Sequence, residues 1–414
     1  MSMIKIPKNP KKDIVFLCQF FYPEYNSSAT LPFDTAKYLV ESGYSVGTLC
    51  GYPKEYSIDG KAPVREKKDG ISIRRLCYIQ GSRRDKFGRL LNYFSFTLSA
   101  LFHVFEIRDY RAVIVYSNPP VLPIVAILAN KLFETKIIFV SYDVYPEVAY
   151  ASKSLREDSI IAKVMQQINK SLFKRAESVV TLTDEMREYL LQNRSKLSTD
   201  RVTTIPNWAH EAKAVSKSAV RAELGYTDED FVVSYFGNIG ICQDETALLQ
   251  AMELLADHKN IKFLIAGHGN KMQLVRQSAE HFSNVSVFDF LTGTAFEKAI
   301  AASSCGIVSL ERGLIGMCAP SKYYSYLQGG LPVLVVAEPN SYLVKEISCC
   351  ETGFFSDVGD GAKLVQNILA LYQNPGLREK ISRNASELYS KKYAKDLELN
   401  KYAALLNKVL GTAD

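Results

Sequence analysis

The eight cysteines include no C-x-x-C pair, and the five histidines are scattered without metal-ligand spacing. Neither pattern supports a zinc site or a dithiol redox motif. The cysteines (Cys18, Cys50, Cys77, Cys242, Cys305, Cys318, Cys349 and Cys350) fall mostly in apolar runs and read as buried thiols of a reducing compartment. Tryptophan is scarce, one residue beside 24 tyrosines, and no segment looks disordered; 47% hydrophobic and 23% charged residues describe an ordinary globular chain. The longest apolar run, PPVLPIVAILANKLF from Pro119, is too short and too proline-rich at its front for a membrane span. The opening MSMIKIPKNPKKD is basic but lacks the apolar stretch of a signal peptide, so the expected location is cytoplasmic.

At 414 residues the chain exceeds what one core usually supports, and two domains of about 150 to 200 residues each are expected. Charge is uneven between them. Residues 1–205 hold 30 Lys and Arg against 21 Asp and Glu, whereas residues 206–414 hold 20 against 23, so the first half suits an anionic partner. Apolar runs that read as strands occupy 14–18, 46–50, 112–117, 136–141, 178–183 and 202–206, then 231–236, 262–267, 285–290, 305–310 and 331–337. Helical stretches such as DTAKYLVESG and ETALLQAMELLADH separate them. Continuous apolar strands alternating with helices mean parallel sheets covered on both faces. The expected fold class is α/β, with two doubly wound, Rossmann-like domains in tandem at 1–206 and 207–390.

In such sheets ligands bind beyond the carboxyl ends of the strands. The second half places Gly237, Asn238 and Gly240 (YFGNIG) after one strand and Gly267, His268 and Gly269 (IAGHGN) after the next. A longer loop, SLERGLIGMCAPSK, carries Glu311, Arg312, Gly313 and Gly316 into a short helix. Ser321 is expected to cap that helix and Lys322 to project from its first turn, where free N–H groups suit a phosphate. Gly329 and Gly330 would end it with a left-handed cap. Singly, each such turn is more often a tight turn than a ligand contact, and Lys322 alone more often a solvated lysine. Their shared sheet edge is what makes the case.

The order and spacing of FLCQFFYPEYNSSATLPFDTAKYLVESGYSVGTLCGYP, VSYDVYPE, VTTIPNW, YFGNIG, AGHGN and PSKYYSYLQGGLPV resemble the GT-B glycosyltransferases of retaining family 4, in particular the branch that builds O-antigen, capsule and colanic-acid-type polysaccharides. The resemblance runs through nearly the whole chain. It implies that Gly237 and Asn238 lie under the donor diphosphate, that Gly267, His268 and Gly269 sit near the nucleotide, and that Lys322 with Ser321 meets the phosphates or ribose. It also implies that Asp143 faces the cleft near the transferred sugar and that the loop YPEYNSSAT, with Ser28, closes over donor and acceptor. The final segment, 391–414, would return to the first domain.

Two departures stand out. The family commonly carries a pair of glutamates eight positions apart. Counted from Pro320, those positions are Met317 and Ser325 here. One serine hydroxyl in place of a carboxylate on the ribose would weaken binding by roughly 1 to 3 kcal/mol unless replaced. Glu311 is the candidate substitute. An Arg and a Lys common near the GNIG turn are also absent, Ile241 and Gln243 standing in that stretch, which leaves Lys322 and Arg312 as cations.

The resemblance implies departure of a nucleoside diphosphate, assisted by Lys322, Arg312 and backbone N–H groups, followed by same-face attack of an acceptor hydroxyl. No metal and no further cofactor is required. Asp143 would stabilise the positive sugar or orient the acceptor; the plainer reading is a turn aspartate before Pro146. Residues 83–108 set basic residues at the ends of an aromatic-rich apolar helix. They read either as a core helix after a solvated basic loop or as a surface that leans on the inner face of the cytoplasmic membrane and presents a polyprenyl-diphosphate-linked saccharide. Nucleic acid is not an expected partner. Besides transfer from a nucleotide-diphosphate sugar, two readings remain: a non-catalytic subunit supporting a partner glycosyltransferase, motivated by the missing acids, and another nucleotide-sugar chemistry such as epimerisation.

Overall fold

The computed structural model describes residues 11–53, 62–81, 86–210 and 215–411. The N-terminal residues 1–10 and the basic loop around Arg83 and Arg84 lie outside them. Fourteen strands occur among the described residues. The first eight are β1 (Lys12–Cys18), β2 (Val46–Gly51), β3 (Arg65–Lys68), β4 (Ile71–Leu76), β5 (Tyr110–Tyr116), β6 (Lys136–Ser141), β7 (Ser178–Thr181) and β8 (Val202–Thr204). The other six are β9 (Phe231–Asn238), β10 (Ile261–His268), β11 (Val285–Phe288), β12 (Cys305–Ser309), β13 (Val333–Val336) and β14 (Gly353–Ser356). They form two sheets, ordered 3-4-2-1-5-6-7-8 and 11-10-9-12-13-14, parallel throughout except for the β3–β4 pair. In each, strand order reverses beside the first strand, between β1 and β5 and between β9 and β12. Those switch points open ligand crevices at the carboxyl edges.

The β3–β4 hairpin and β14 are absent from the sequence-based strand set. The hairpin is charged, REKKDGISIRRL, and only Ile71, Ile73, Arg75 and Leu76 of β4 turn inward. Its signal was the Asp69-Gly70 turn, where both residues take positive φ (48° and 81°) as a two-residue hairpin requires.

Each sheet is buried on both faces. Val15, Leu17, Val113 and Val115 share one apolar cluster of the first sheet, and Ile14, Phe16, Ile114 and Ile138 share another on the opposite face. The C-terminal helix Lys395–Leu410 lays Leu399, Tyr402, Leu405, Leu406 and Val409 on that second face. Its carboxyl end is fastened by basic donors: Arg111 to the Leu410 carbonyl (2.7 Å) and Lys136 to that of Val409 (2.5 Å). At the junction, Asp34 accepts from Trp208 Nε1 (3.1 Å) and pairs with Lys395 (3.1 Å).

Two expectations change here. Of the cysteines, Cys77 and Cys349 are exposed, lying just past a strand end and at a helix end. The helix Lys86–Phe102 is only half a core helix. Phe96, Thr97, Ala100 and Asn92 are buried, while Phe94, Leu98 and Phe102 face solvent in line with Phe87 before them and Phe105 after. At 100° per residue Phe87, Phe94, Leu98 and Phe102 fall on one stripe opposite the buried side, and Phe105 follows in the 3-10 helix Val104–Asp109. Being apolar on both faces, the segment gives a periodicity that does not separate core from surface.

Candidate active site

The carboxyl edge of the second sheet is built by the paired last residues of β9 and β10, which the sequence reading places in turns, and by the turns that follow them. Gly267 is registered against Gly237, and His268 against Asn238. A Cβ on Gly267 would stand 1.8 Å from the Gly237 carbonyl oxygen, and one on Gly269 2.2 Å from that of Ile239. Gly237 and Gly269 also take φ of +99° and +131°, where side chains are strained. Gln243 braces the first turn, its Oε1 accepting from the Gly240 N–H (3.0 Å) and from Asn238 Nδ2 (3.2 Å). Asn238 itself is exposed, and His268 sets its ring edge-on to Phe290 with centroids 4.9 Å apart.

Above this edge lies the helix Lys322–Gln328. Its tyrosines anchor it: Tyr323, Tyr324 and Tyr326 are fully buried, and Tyr326 Oη accepts from the Phe236 N–H (2.9 Å). Gly330 closes it with φ +62°. Lys322 reaches over the first turn, with Nζ 3.3 Å from the Asn238 carbonyl and 3.6 Å from the centre of the Tyr235 ring. Burial pushes its pKa well below the ordinary lysine value, with no carboxylate acting against the shift. Ser321 does not cap this helix. Its backbone is already helical, and its hydroxyl instead accepts from Ser27 Oγ of the first domain (3.3 Å). Ser325 sits half-buried one turn on.

Glu311 is not a free acid. Its carboxylate holds Lys271 Nζ at 2.7 Å, and Lys271 also pairs with Glu245 (2.5 Å) and donates to the Gln243 carbonyl (2.8 Å). Asp244, Glu245 and Glu311 bring carboxylate oxygens within 4.8 Å of one another, the spacing of a cation site, and the Lys271 ammonium is bound to two of the three. Sequence reasoning missed Lys271, whose only signal is its place two residues after Gly269. Arg312 is paired with the exposed Asp357 (3.0 Å).

The first domain meets this site at the end of β6. The Asp143 N–H donates to Ser117 Oγ (3.1 Å), and its backbone forms an antiparallel bridge with Cys318 of the second domain. The next N–H, of Val144, donates to the Met317 carbonyl (2.8 Å). Met317, at one position of the missing glutamate pair, packs on the apolar core of the first sheet. Burial pushes the Asp143 carboxyl up to about 6, and burial, with the Asp143 charge adding to it, raises the thiols of Cys242 and Cys318. Asp143 thus lies where the end of β6 meets the loop leading to Lys322, and it lines a small first-domain cavity with Ser117, Phe139, Tyr145 and Asn169. At the start of the first domain's helix Ser27–Glu41 the observed contact is made by Ser27, with Ser28 half-buried beside it.

Two facing Rossmann-like domains with the C-terminal helix returned to the first are the GT-B architecture. Residues 33–208 match the glycosyl transferase 4-like domain and residues 230–374 the glycosyl transferases group 1 domain. The chain belongs to the GT-B glycosyltransferases of family 4, related to enzymes of polysaccharide biosynthesis. It is 25% identical over 306 residues to "Probable glycosyltransferase WbjE" of Pseudomonas aeruginosa, covering 71% of this chain and 74% of that protein. It is 22% identical over 274 residues to "Putative colanic acid biosynthesis glycosyl transferase WcaI" of Escherichia coli K12, covering 64% and 66%. HepE of Anabaena, solved in complex with UDP-glucose, shares the fold with a TM-score of 0.71 at 13% identity, over 96% of this chain and 100% of that one.

Proposed function

We propose that the chain moves a sugar, with retention, from a nucleotide-diphosphate sugar to a polyprenyl-diphosphate-linked saccharide during cell-surface polysaccharide assembly. The observation that carries this reading is Lys322: a half-buried lysine whose Nζ lies over the GNIG turn, 3.3 Å from the Asn238 carbonyl, and forms no ion pair with a carboxylate among the described residues. A diphosphate seated there would supply the missing counter-charge and oppose the downward shift that burial imposes on the lysine. In the transfer, the bond between the anomeric carbon and the diphosphate oxygen breaks and a bond to the acceptor oxygen forms on the same face. The acceptor's proton passes to the departing phosphate. Lys322 and nearby backbone N–H groups stabilise the charge that develops on the leaving group, with Arg312 at the rim. Asp143, across the cleft, stabilises the positive sugar or orients the acceptor hydroxyl. No metal enters this scheme.

For the acceptor, the exposed side chains of Phe87, Phe94, Leu98 and Phe102 on one helix stripe, with Phe105 after them, support peripheral contact with the inner face of the cytoplasmic membrane. The net basic first half suits anionic headgroups. No helix among the described residues is long and apolar enough to cross a bilayer.

Thermal unfolding against UDP, GDP, dTDP, ADP and CMP tests the donor reading. A nucleotide at about a hundred times its dissociation constant adds roughly 2.7 kcal/mol, a shift of several degrees. A shift with one nucleotide, lost in Lys322→Met, is the expected result. No shift with any of the five would favour a subunit that supports a partner transferase.

A further inference from the structure

One carboxylate of the first domain gathers two backbone donors of the second. Glu185 lies in the first turn of the helix Asp184–Asn193, which Thr183 caps by accepting from the Met186 N–H (3.0 Å). Its Oε2 accepts from the Gly316 N–H (3.0 Å) and its Oε1 from the N–H of Tyr342 (3.0 Å), the first residue of the helix Tyr342–Cys349. Helix and loop touch closely: Gly316 has φ +72°, and a Cβ there would meet Tyr189 Cβ at 2.8 Å and the Glu185 carbonyl oxygen at 3.1 Å. The same loop is then held by the first domain at Met317, Cys318 and Ser321, and Lys322 follows at once.

We propose that Glu185 is a positioning residue for transfer, a latch whose carboxylate fixes the loop 312–321 so that Lys322 and Asp143 are held across one cleft. It touches neither donor nor acceptor. Both Gly316 and Tyr342 N–H groups point out of their own domain, and the latch satisfies both with one side chain. The role in catalysis rests on the transfer reading above; the latch itself does not.

The test is residue-resolved hydrogen exchange on the full chain, wild type against Glu185→Ala and Glu185→Gln, without any substrate. In the wild type the Gly316 and Tyr342 amides are expected to be protected. In Glu185→Ala that protection falls at least tenfold while strands β9, β10, β12 and β13 exchange as before. Glu185→Gln, with one remaining acceptor, falls between. The radius of gyration from X-ray scattering rises in Glu185→Ala. With the sugar donor whose nucleotide shifts melting, kcat falls at least tenfold and KM changes less than threefold. Unprotected Gly316 and Tyr342 amides in the wild type, unchanged protection in Glu185→Ala, or exchange raised evenly through the protein would each overturn the latch. A failure of all nucleotides to bind would overturn the donor reading and leave the exchange result standing.

Discussion

The two sheets share one central order, β4-β2-β1-β5-β6-β7 in the first domain and β11-β10-β9-β12-β13-β14 in the second, and they use their carboxyl edges differently. The second ends in glycines so close that a single Cβ would collide with backbone, and it presents Lys322, which has no ion pair among the described residues. The first ends in side chains: Asp143, held by Ser117, and the serines that open the helix Ser27–Glu41. On the proposed function, the second domain's edge takes the anion on backbone and the first's meets a hydroxyl-bearing group with polar side chains. A common scaffold would then divide donor and acceptor chemistry by which atoms it leaves at the strand ends.

Removing the charge from the second edge should have the largest effect. Lys322→Met keeps the stem over Tyr235 and is expected to lower transfer by about 10² to 10³. The melting temperature should not fall, because the lysine's depressed pKa means its charge is held at a cost in the folded protein. Steady-state kinetics beside a melting curve check both halves of that statement.

Asp143→Asn is the counterpart on the first edge, with transfer expected to fall by about 10². The carboxyl titrates near 6 in the folded protein against an ordinary 3.8, so the native state holds the proton more tightly. The favourable contribution is complete below pH 3.8, is lost as pH rises toward 6, and stays lost above. Asp143→Asn should therefore melt higher than wild type at pH 8, and the gap should shrink as pH falls to 4. A constant gap across that range would mean that burial of Asp143 is not what the carboxyl senses.

The two edges were unequally legible in the sequence. The glycine turns and their strands were readable because close backbone approach demands particular residues at particular places, Gly237 and Gly267 above all. Side-chain commitments were not. That Glu311 is held by Lys271, that Ser321 bonds across the cleft to Ser27, and that Glu185 reaches Gly316 depend on which loops meet in space, and none has a local sequence signal. The same limit applies to the helix Lys86–Phe102, where two apolar faces look alike until the sheet covers one.

A smaller loss is expected from the first domain's outer surface. Phe94→Ser with Phe102→Ser removes two exposed rings, each worth about 1.5 to 3 kcal/mol if buried in a bilayer. Binding to phosphatidylglycerol-containing vesicles should fall at least tenfold in a sedimentation assay, with melting and nucleotide shift unchanged. Unchanged vesicle binding would remove the membrane from the acceptor reading and leave donor chemistry intact.

Arg312→Ala should change least, and it sharpens the comparison from the donor side. The exposed pair with Asp357 is worth about 0 to 1 kcal/mol, so stability should barely move. If the guanidinium stays on Asp357 during the reaction, transfer falls less than about threefold and Lys322 alone supplies the side-chain charge. A kcat loss approaching that of Lys322→Met would overturn this ranking and mean that a bound diphosphate draws the guanidinium away, in which case Asp357→Ala, which frees the arginine, tightens nucleotide binding. The sign of the Asp357→Ala effect in a nucleotide titration separates the two. A surface ion pair is weak enough to be exchanged for a phosphate, whereas the Lys271 ammonium, held by two carboxylates, is not.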